Sequence, residues 1–324
     1  MDSDYVLCNE PLAETKLHEK NAEVDARFGP VSYVASLDKK RDSSDYIVEK
    51  LIRKGQLVEI IGKSKAGKSL LVLYLAICMV TGLDFFHKKV SKLKKLLFVN
   101  LEIAEEDFHD RIVDAATNLG LNAEQLSGLH YWTLRGVDFD VESIIEALIT
   151  KVKSEGYEFV VIDPVYLLFT SSDGKDENNN SVVAGVLRKL QKLIKETGVG
   201  ICVVHHISDK GELAVDMNQL PSGASAFSRM YDVLVALREI NIPDNFPQEL
   251  KQSNRAMRID YALRGGADVR SENVWMSYPV FREDSSKLVR FCPLLSNSDI
   301  KVAEKERSKR FNDAVAYYES RRGE

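Results

Sequence analysis

Between Gly55 and Gly82 the chain reads GQLVEIIGKSKAGKSLLVLYLAICMVTG, and this stretch leaves fewer folding options than any other. Gln56 to Ile61 has the length and branched side chains of a buried strand, and Leu70 to Val80 is apolar almost without interruption. A strand, a tight glycine turn and an apolar helix in that order form one limb of a parallel β/α unit. The turn, Gly62-Lys63-Ser64-Lys65-Ala66-Gly67-Lys68-Ser69, has the spacing G-x-x-x-x-G-K-[ST]. Such a loop wraps a phosphate with its backbone N–H groups pointing inward, which favours glycine where a side chain would collide. The following helix aims its positive N-terminal end at the same anion. Lys68 then reaches the β- and γ-oxygens of a nucleotide, and the Ser69 hydroxyl enters the shell of a Mg²⁺ ion. The expected nucleotide-binding set is therefore Gly62, Lys63, Ser64, Lys65, Ala66, Gly67, Lys68, Ser69 and Leu70.

The 324 residues suffice for one large α/β domain, and a net charge of -5 excludes a global basic field of the kind that advertises nucleic acid. Cys8, Cys78, Cys202 and Cys292 lie far apart without a C-x-x-C pair, and the second and third sit in apolar runs. Reduced, buried thiols are the expectation. The first residues hold no apolar signal region, and Leu70 to Val80 is too short to span a bilayer. A cytoplasmic protein that does not enter the membrane is expected.

Residues 1–44 form an expected N-terminal arm; the first 45 positions hold ten acidic and six basic side chains and little periodicity. The arm either lies on a neighbouring subunit or on its own domain, or is disordered. Asp45 to Lys54 reads as a short amphipathic lead-in to the first strand. Five lysines between Lys88 and Lys95 either grip phosphate or form a solvated turn. Leu96 to Glu102 and Glu158 to Asp163 are buried strands that each end in a carboxylate. Glu105 to Gly120 is a helix with Phe108, Ile112, Ala115, Ala116 and Leu119 on one face. Leu129 to Thr133 is a short strand. Val141, Ile144, Ile145, Leu148, Ile149 and Val152 mark another helix, capped by Asp140 and stopped by Gly156. A helix over 181–197, a strand from Gly200 to Val204 closed by His205 and His206, and a strand from Asp232 to Leu237 complete the alternation. Polar loops from Thr170 to Asn180 and from Ile207 to Ser222 interrupt it.

From Arg255 the helices stop: Met257 to Leu263, Val274 to Phe281 and Leu288 to Phe291 read as short strands extending the sheet edge. Asp299 to Arg322 reads as a charged helix. The expected architecture is α/β: a mostly parallel central sheet covered by helices, with antiparallel C-terminal strands and a terminal helix. The expected division is an arm (1–44), an ATPase domain (45–297) and a charged C-terminal helix (298–324).

Nucleotide hydrolysis needs metal ligands and a group that orients or deprotonates the attacking water. In an open parallel sheet, ligands collect at the C-terminal ends of the strands. Asp163 at such an end is the expected metal ligand beside Ser69, and Glu102 at another is the expected general base. Two adjacent histidines could instead hold zinc, but no third ligand lies close in sequence.

A phosphate-loop strand, then strands ending FVNLE, VVIDP and VVHH, then Gly223-Ala224-Ser225-Ala226-Phe227, resemble in their order the RecA-like ATPase fold. The chain is most similar to the hexameric replicative helicase branch related to plasmid RepA, and to AAA-named RecA-like ATPases of mobile elements and phages. The resemblance covers about residues 45 to 265. It implies ATP and Mg²⁺ at a subunit interface of a homo-oligomer, a hexamer in that branch, with Glu102 as catalytic carboxylate and Asp163 on the metal through water. It also implies that His206, or its neighbour His205, senses the γ-phosphate and relays its state to a DNA-facing loop. One departure concerns the cation that completes a neighbour's site: Ser222 stands where RepA-like proteins place an arginine. Arg229, or Lys210, is the expected substitute.

A second departure concerns DNA. The two long polar loops hold only Lys175 and Lys210 against Asp173, Asp176, Glu177, Asp209, Glu212 and Asp216, with no aromatic side chain. Strong single-strand binding by these loops alone is therefore not expected. Two functions remain: a DNA motor or loader of plasmid or mobile-element replication, whose partner is single-stranded DNA or a DNA-bound protein, and a nucleotide switch or assembly ATPase in recombination or regulation.

Overall fold

The computed structural model describes residues 43–170, 180–206, 230–240, 254–265 and 269–283. The chain divides into two units, Met1–Asp45 and Tyr46–Glu324. Of the first, only a single 3-10 turn at Ser43–Asp45 is described. Residues 171–179 and 207–222 of the two expected polar loops, with Lys210, and likewise Arg229, the expected strand from Leu288 to Phe291 and the expected charged terminal helix, lie outside the described residues.

The second unit opens with β1 (Tyr46–Val48) and β2 (Ile52–Arg53), which pair antiparallel as a small separate sheet. This corrects the reading of Asp45 to Lys54 as an amphipathic lead-in. Lys50 takes a left-handed φ of 56°, and Leu51 N donates to Val48 O at 3.0 Å, so the segment folds back on itself. Then come β3 (Leu57–Gly62), α1 (Lys68–Thr81), β4 (Leu96–Asn100), α2 (Glu105–Leu119), β5 (Leu129–Thr133), α3 (Val141–Glu155) and β6 (Phe159–Asp163). The short α4 (Leu167–Thr170), α5 (Asn180–Thr197), β7 (Gly200–His206) and β8 (Val233–Glu239) follow, and β9 (Arg255–Leu263), β10 (Glu272–Ser277) and β11 (Val280–Glu283) close the order.

A nine-stranded sheet runs β11-β10-β9-β8-β3-β7-β6-β4-β5. The six strands from β8 to β5 are parallel, and β9, β10 and β11 extend the β8 edge antiparallel. This is the expected α/β phosphate-loop architecture. The Val274 to Phe281 run is not one strand but the β10–β11 hairpin, with Ser277 opposite Val280 around Tyr278 and Pro279. Pro279 has no N–H to give a ladder, which confines it to the turn.

The parallel strands read as unbroken apolar runs because both faces are covered. Along β6, Phe159 and Val161 enter one core with α1 and α2, while Val160 and Ile162 enter the other with α3 and α5. α1 is buried at nine apolar positions from Leu71 to Val80, since the sheet, β1–β2 and Phe85 surround it; a helix enclosed this way needs no polar stripe. α3 behaves as its spacing predicts: Val141, Ile144, Ile145, Leu148 and Val152 are buried, and Asp140 caps Ser143 N at 2.9 Å. Cys78 and Cys202 are free, buried thiols. Among the described residues no helix is long and apolar enough to cross a membrane.

Candidate nucleotide site

Five neighbouring parallel strands deliver their C-terminal ends to one edge of the sheet. Register places Gly62 beside His206, Asn100 beside Asp163 and Asn100 beside Thr133. The residues that leave these strands meet in an open cleft of about 460 Å³, lined by Ser64, Lys65, Gly67, Lys68, Ser69, Leu70, Glu102, Ile103, Arg111, Arg135, His206 and Tyr278. Of the nine expected loop residues, six line it and Gly62, Lys63 and Ala66 do not.

Two glycines are required, Gly62 by contact with backbone and Gly67 by its left-handed conformation. A Cβ on Gly62 would lie 2.6 Å from Leu237 O, because β3 is wedged against β8. Gly67 holds φ +95°, and a Cβ there would meet Met276 Sδ at 2.4 Å. Lys68 is 3% exposed, and its ammonium donates to Gly62 O at 2.8 Å and to Lys63 O at 2.6 Å. Burial lowers its pKa to about 8, against the opposing pull of Asp163 and Glu102. To engage phosphate oxygens the ammonium need only exchange these carbonyls for stronger acceptors.

Asp163 is 5% exposed at the end of β6. Burial raises its carboxyl to about 6, and a hydrogen bond from the Ser69 hydroxyl and the nearby Lys68 and Arg111 charges offset this only in part. Its Oδ1 has no hydrogen-bond partner among the described residues. An orphaned buried carboxylate oxygen next to a serine hydroxyl and a phosphate-binding turn fits Mg²⁺, which takes few protein ligands and relies on nucleotide oxygens and water. Among the described residues no three His, Cys, Asp or Glu side chains cluster as an all-protein cage.

Glu102 is exposed in the cleft, two residues beyond the strand it was expected to end. Asn100, 1% exposed, shapes that exit. Its Oδ1 accepts from Ile103 N at 3.0 Å and its Nδ2 donates to Ile103 O at 2.7 Å, which folds the backbone into a bend and turns Glu102 outward. The histidine pair splits across the sheet. His205 faces Glu59, with 3.1 Å between Nδ1 and Oε1. His206 lines the cleft, edge-on to Tyr166, with a buried Nδ1 that has no hydrogen-bond partner among the described residues. Burial, then Lys68 and His205, lower its pKa to about 4, so it is neutral at physiological pH.

Arg111, Arg135 and Tyr278 were not anticipated. Arg111 lies off the apolar stripe of α2 and reads in sequence as one more surface charge. Its only signal is its place two helical turns into the element that follows Glu102.

The sequence profile of the AAA domain family matches residues 24–212, more than half of the chain. The chain belongs to the AAA domain family. No curated protein matches it at a significant level. The match contains the phosphate-binding loop, Glu102, Asp163 and His206. An AAA domain is a P-loop ATPase module, and the phosphate-binding loop of this AAA protein lines the cleft.

Proposed function

We propose that this protein is a Mg²⁺-dependent ATPase that works as a RecA-like, RepA-type oligomeric DNA motor or loader in plasmid or mobile-element replication. The observation that carries the ATPase part is the convergence of Lys68, Ser69, Glu102 and His206 on one cleft, with Asp163 buried behind Ser69. Lys68 binds the β- and γ-phosphate oxygens, and the loop N–H groups fix the β-phosphate. Ser69 Oγ and Asp163 Oδ1 would hold Mg²⁺, which would supply charge neutralisation on the phosphate oxygens. Glu102, held outward by the Asn100 bend, orients the attacking water and takes its proton. His206 Nδ1, neutral and unengaged, contacts the γ-phosphate and registers its loss.

The oligomeric part is supported by the open rim. Glu102 and Arg135 are exposed at the γ-phosphate end, where a neighbouring subunit can reach the nucleotide. Arg229 is the assigned trans cation, with Lys210 as its alternative. The DNA part is supported by the resemblance to the RepA-type branch. The test is ATP turnover with and without single-stranded DNA, run beside light scattering with and without ATP. A ring-sized particle whose turnover rises with DNA is the expected result. Turnover indifferent to DNA removes the motor reading and favours the nucleotide switch.

A further inference from the structure

The phosphate-binding loop is gripped from outside by the antiparallel end of the sheet. Lys65, at the tip of the loop, has a left-handed φ of 59°, which is uncommon for a residue with a Cβ and must be held by its surroundings. Its carbonyl accepts a hydrogen bond from Arg255 Nη1 at 3.0 Å. The other edge of the same guanidinium is fixed: Nε and Nη2 donate to Glu239 Oε1 and Oε2 at 3.1 and 2.6 Å. Glu239 ends β8 and Arg255 begins β9, so the fork is anchored on two paired strands. The register partner of Arg255 on β10 is Met276, whose Sδ packs against Gly67, the other leg of the loop. One cross-strand pair therefore touches both sides of the turn.

We propose that Arg255, braced by Glu239, is a positioning residue that sets the peptide orientation of the phosphate-binding loop. The reason is the planarity of the trans peptide, in which C=O and N–H point in opposite directions. Holding Lys65 O outward on Arg255 keeps the Ala66 N–H on the concave side, where it now donates to Lys63 O at 3.2 Å. Lys63 O is also an acceptor for the Lys68 ammonium. The concave face is thus set before a phosphate arrives, and the ordering cost of binding falls. Arg255 needs no contact with the nucleotide. A bidentate guanidinium suits this role because two of its N–H groups fix the plane while a third is aimed, which a lysine ammonium cannot do.

The inference rests on the reading of the cleft as a nucleotide site, and the test separates the two. Fluorescent ADP is titrated into the full chain as wild type, Lys68→Ala, Arg255→Met, Arg255→Lys, Glu239→Gln and the Arg255→Met/Glu239→Gln double variant, and KM and kcat for ATP are measured in parallel. Loss of one charge-assisted hydrogen bond that orients the loop should weaken ADP binding and raise KM about tenfold in Arg255→Met. The kcat should stay within about twofold, since Glu102 and Asp163 are held independently. Arg255→Lys should recover part of the affinity, and Glu239→Gln should lose about threefold. The double variant should match Arg255→Met alone, because Glu239 acts only through Arg255. Wild-type ADP affinity and KM in Arg255→Met, or additive losses in the double variant, overturn the proposal. Should Arg255→Met fail to fold, unchanged affinity in both Arg255→Lys and Glu239→Gln overturns it. Failure of wild type to bind ADP, or equal binding by Lys68→Ala, overturns the nucleotide reading and the proposal with it.

Discussion

Asp163→Asn should make the ligand-free protein more stable while removing its use of Mg²⁺. The buried carboxyl titrates at about 6 in the fold, against an ordinary value of 3.8, and burial is the largest cause. Between those two values the native state binds more protons than the unfolded chain, so wild-type stability falls as pH rises through this window and then levels off. At ~1.4 kcal/mol per pH unit, the ionised carboxylate costs the fold roughly 3 kcal/mol above pH 6. Asparagine has the same shape and cannot ionise. It places a buried amide at the Oδ1 position, at a cost of about 1 kcal/mol that does not vary with pH. The difference between variant and wild type should therefore grow by roughly 2.5 kcal/mol from pH 4 to pH 7.5, about 5 °C in melting temperature for a chain of this size. Urea denaturation of both proteins across that range, without nucleotide or metal, measures it directly. A stability difference that stays flat with pH would refute the assignment of burial as the force on Asp163. At pH 7.5 the same variant should bind ADP with no benefit from added Mg²⁺.

Lys68→Ala should keep the thermal transition of a folded protein and lose nucleotide binding or turnover, as read by ADP titration and an ATPase assay. Glu102→Gln should still bind ATP but hydrolyse it slower by a factor of about 10² or more, the range of lost acid–base assistance; single-turnover kinetics will show it. Arg229→Ala should bind ATP yet turn over slowly. Mixing with excess Lys68→Ala subunits should restore part of the activity, because some interfaces then join an intact loop to an intact Arg229. Normal hydrolysis by Arg229→Ala alone would move the trans role to Lys210.

What could be read from the sequence was whatever repeats or is fixed by spacing. The period of α3, from Val141 to Val152, and the apolar runs of β4 and β6 are statements about burial, and burial is what their residue types encode. The phosphate loop was legible because its spacing is set by the size of a phosphate. The hairpin at Tyr46 to Arg53 was not, since two strands of three and two residues are too short to show a period of two. Arg135, Tyr278 and Arg255 were also invisible. Each reaches the cleft or its loop through tertiary contact: Arg135 two residues past β5, Tyr278 from a hairpin turn, Arg255 by a bond to Lys65 nearly two hundred residues away. Glu102 lines the cleft, but not for the reason its place in the sequence suggests. It points outward through the Asn100 bend rather than as the last residue of a strand.

The three shifted groups at the centre of the cleft all move toward neutrality: Lys68 down to about 8, Asp163 up to about 6 and His206 down to about 4. Burial is the first cause in each case, so each charge is costly until a partner of opposite sign arrives. Phosphate oxygens at Lys68 would restore its ammonium, and a divalent cation at Asp163 would restore its carboxylate. Binding should therefore move protons in opposite directions at two pH values. Near pH 8, where about half of Lys68 is neutral, ADP with Mg²⁺ should take up roughly half a proton, and the nucleotide's own phosphates, fully ionised there, contribute none. Near pH 6 about half of Asp163 is protonated, and its share of binding should be release of roughly half a proton, a share that Asp163→Asn must lack. His206, neutral at both values, stays silent. Calorimetry in two buffers of different ionisation enthalpy reads the proton count. Zero uptake at pH 8 would mean that Lys68 is fully charged before nucleotide binds, and that the Gly62 and Lys63 carbonyls with Asp163 outweigh its burial.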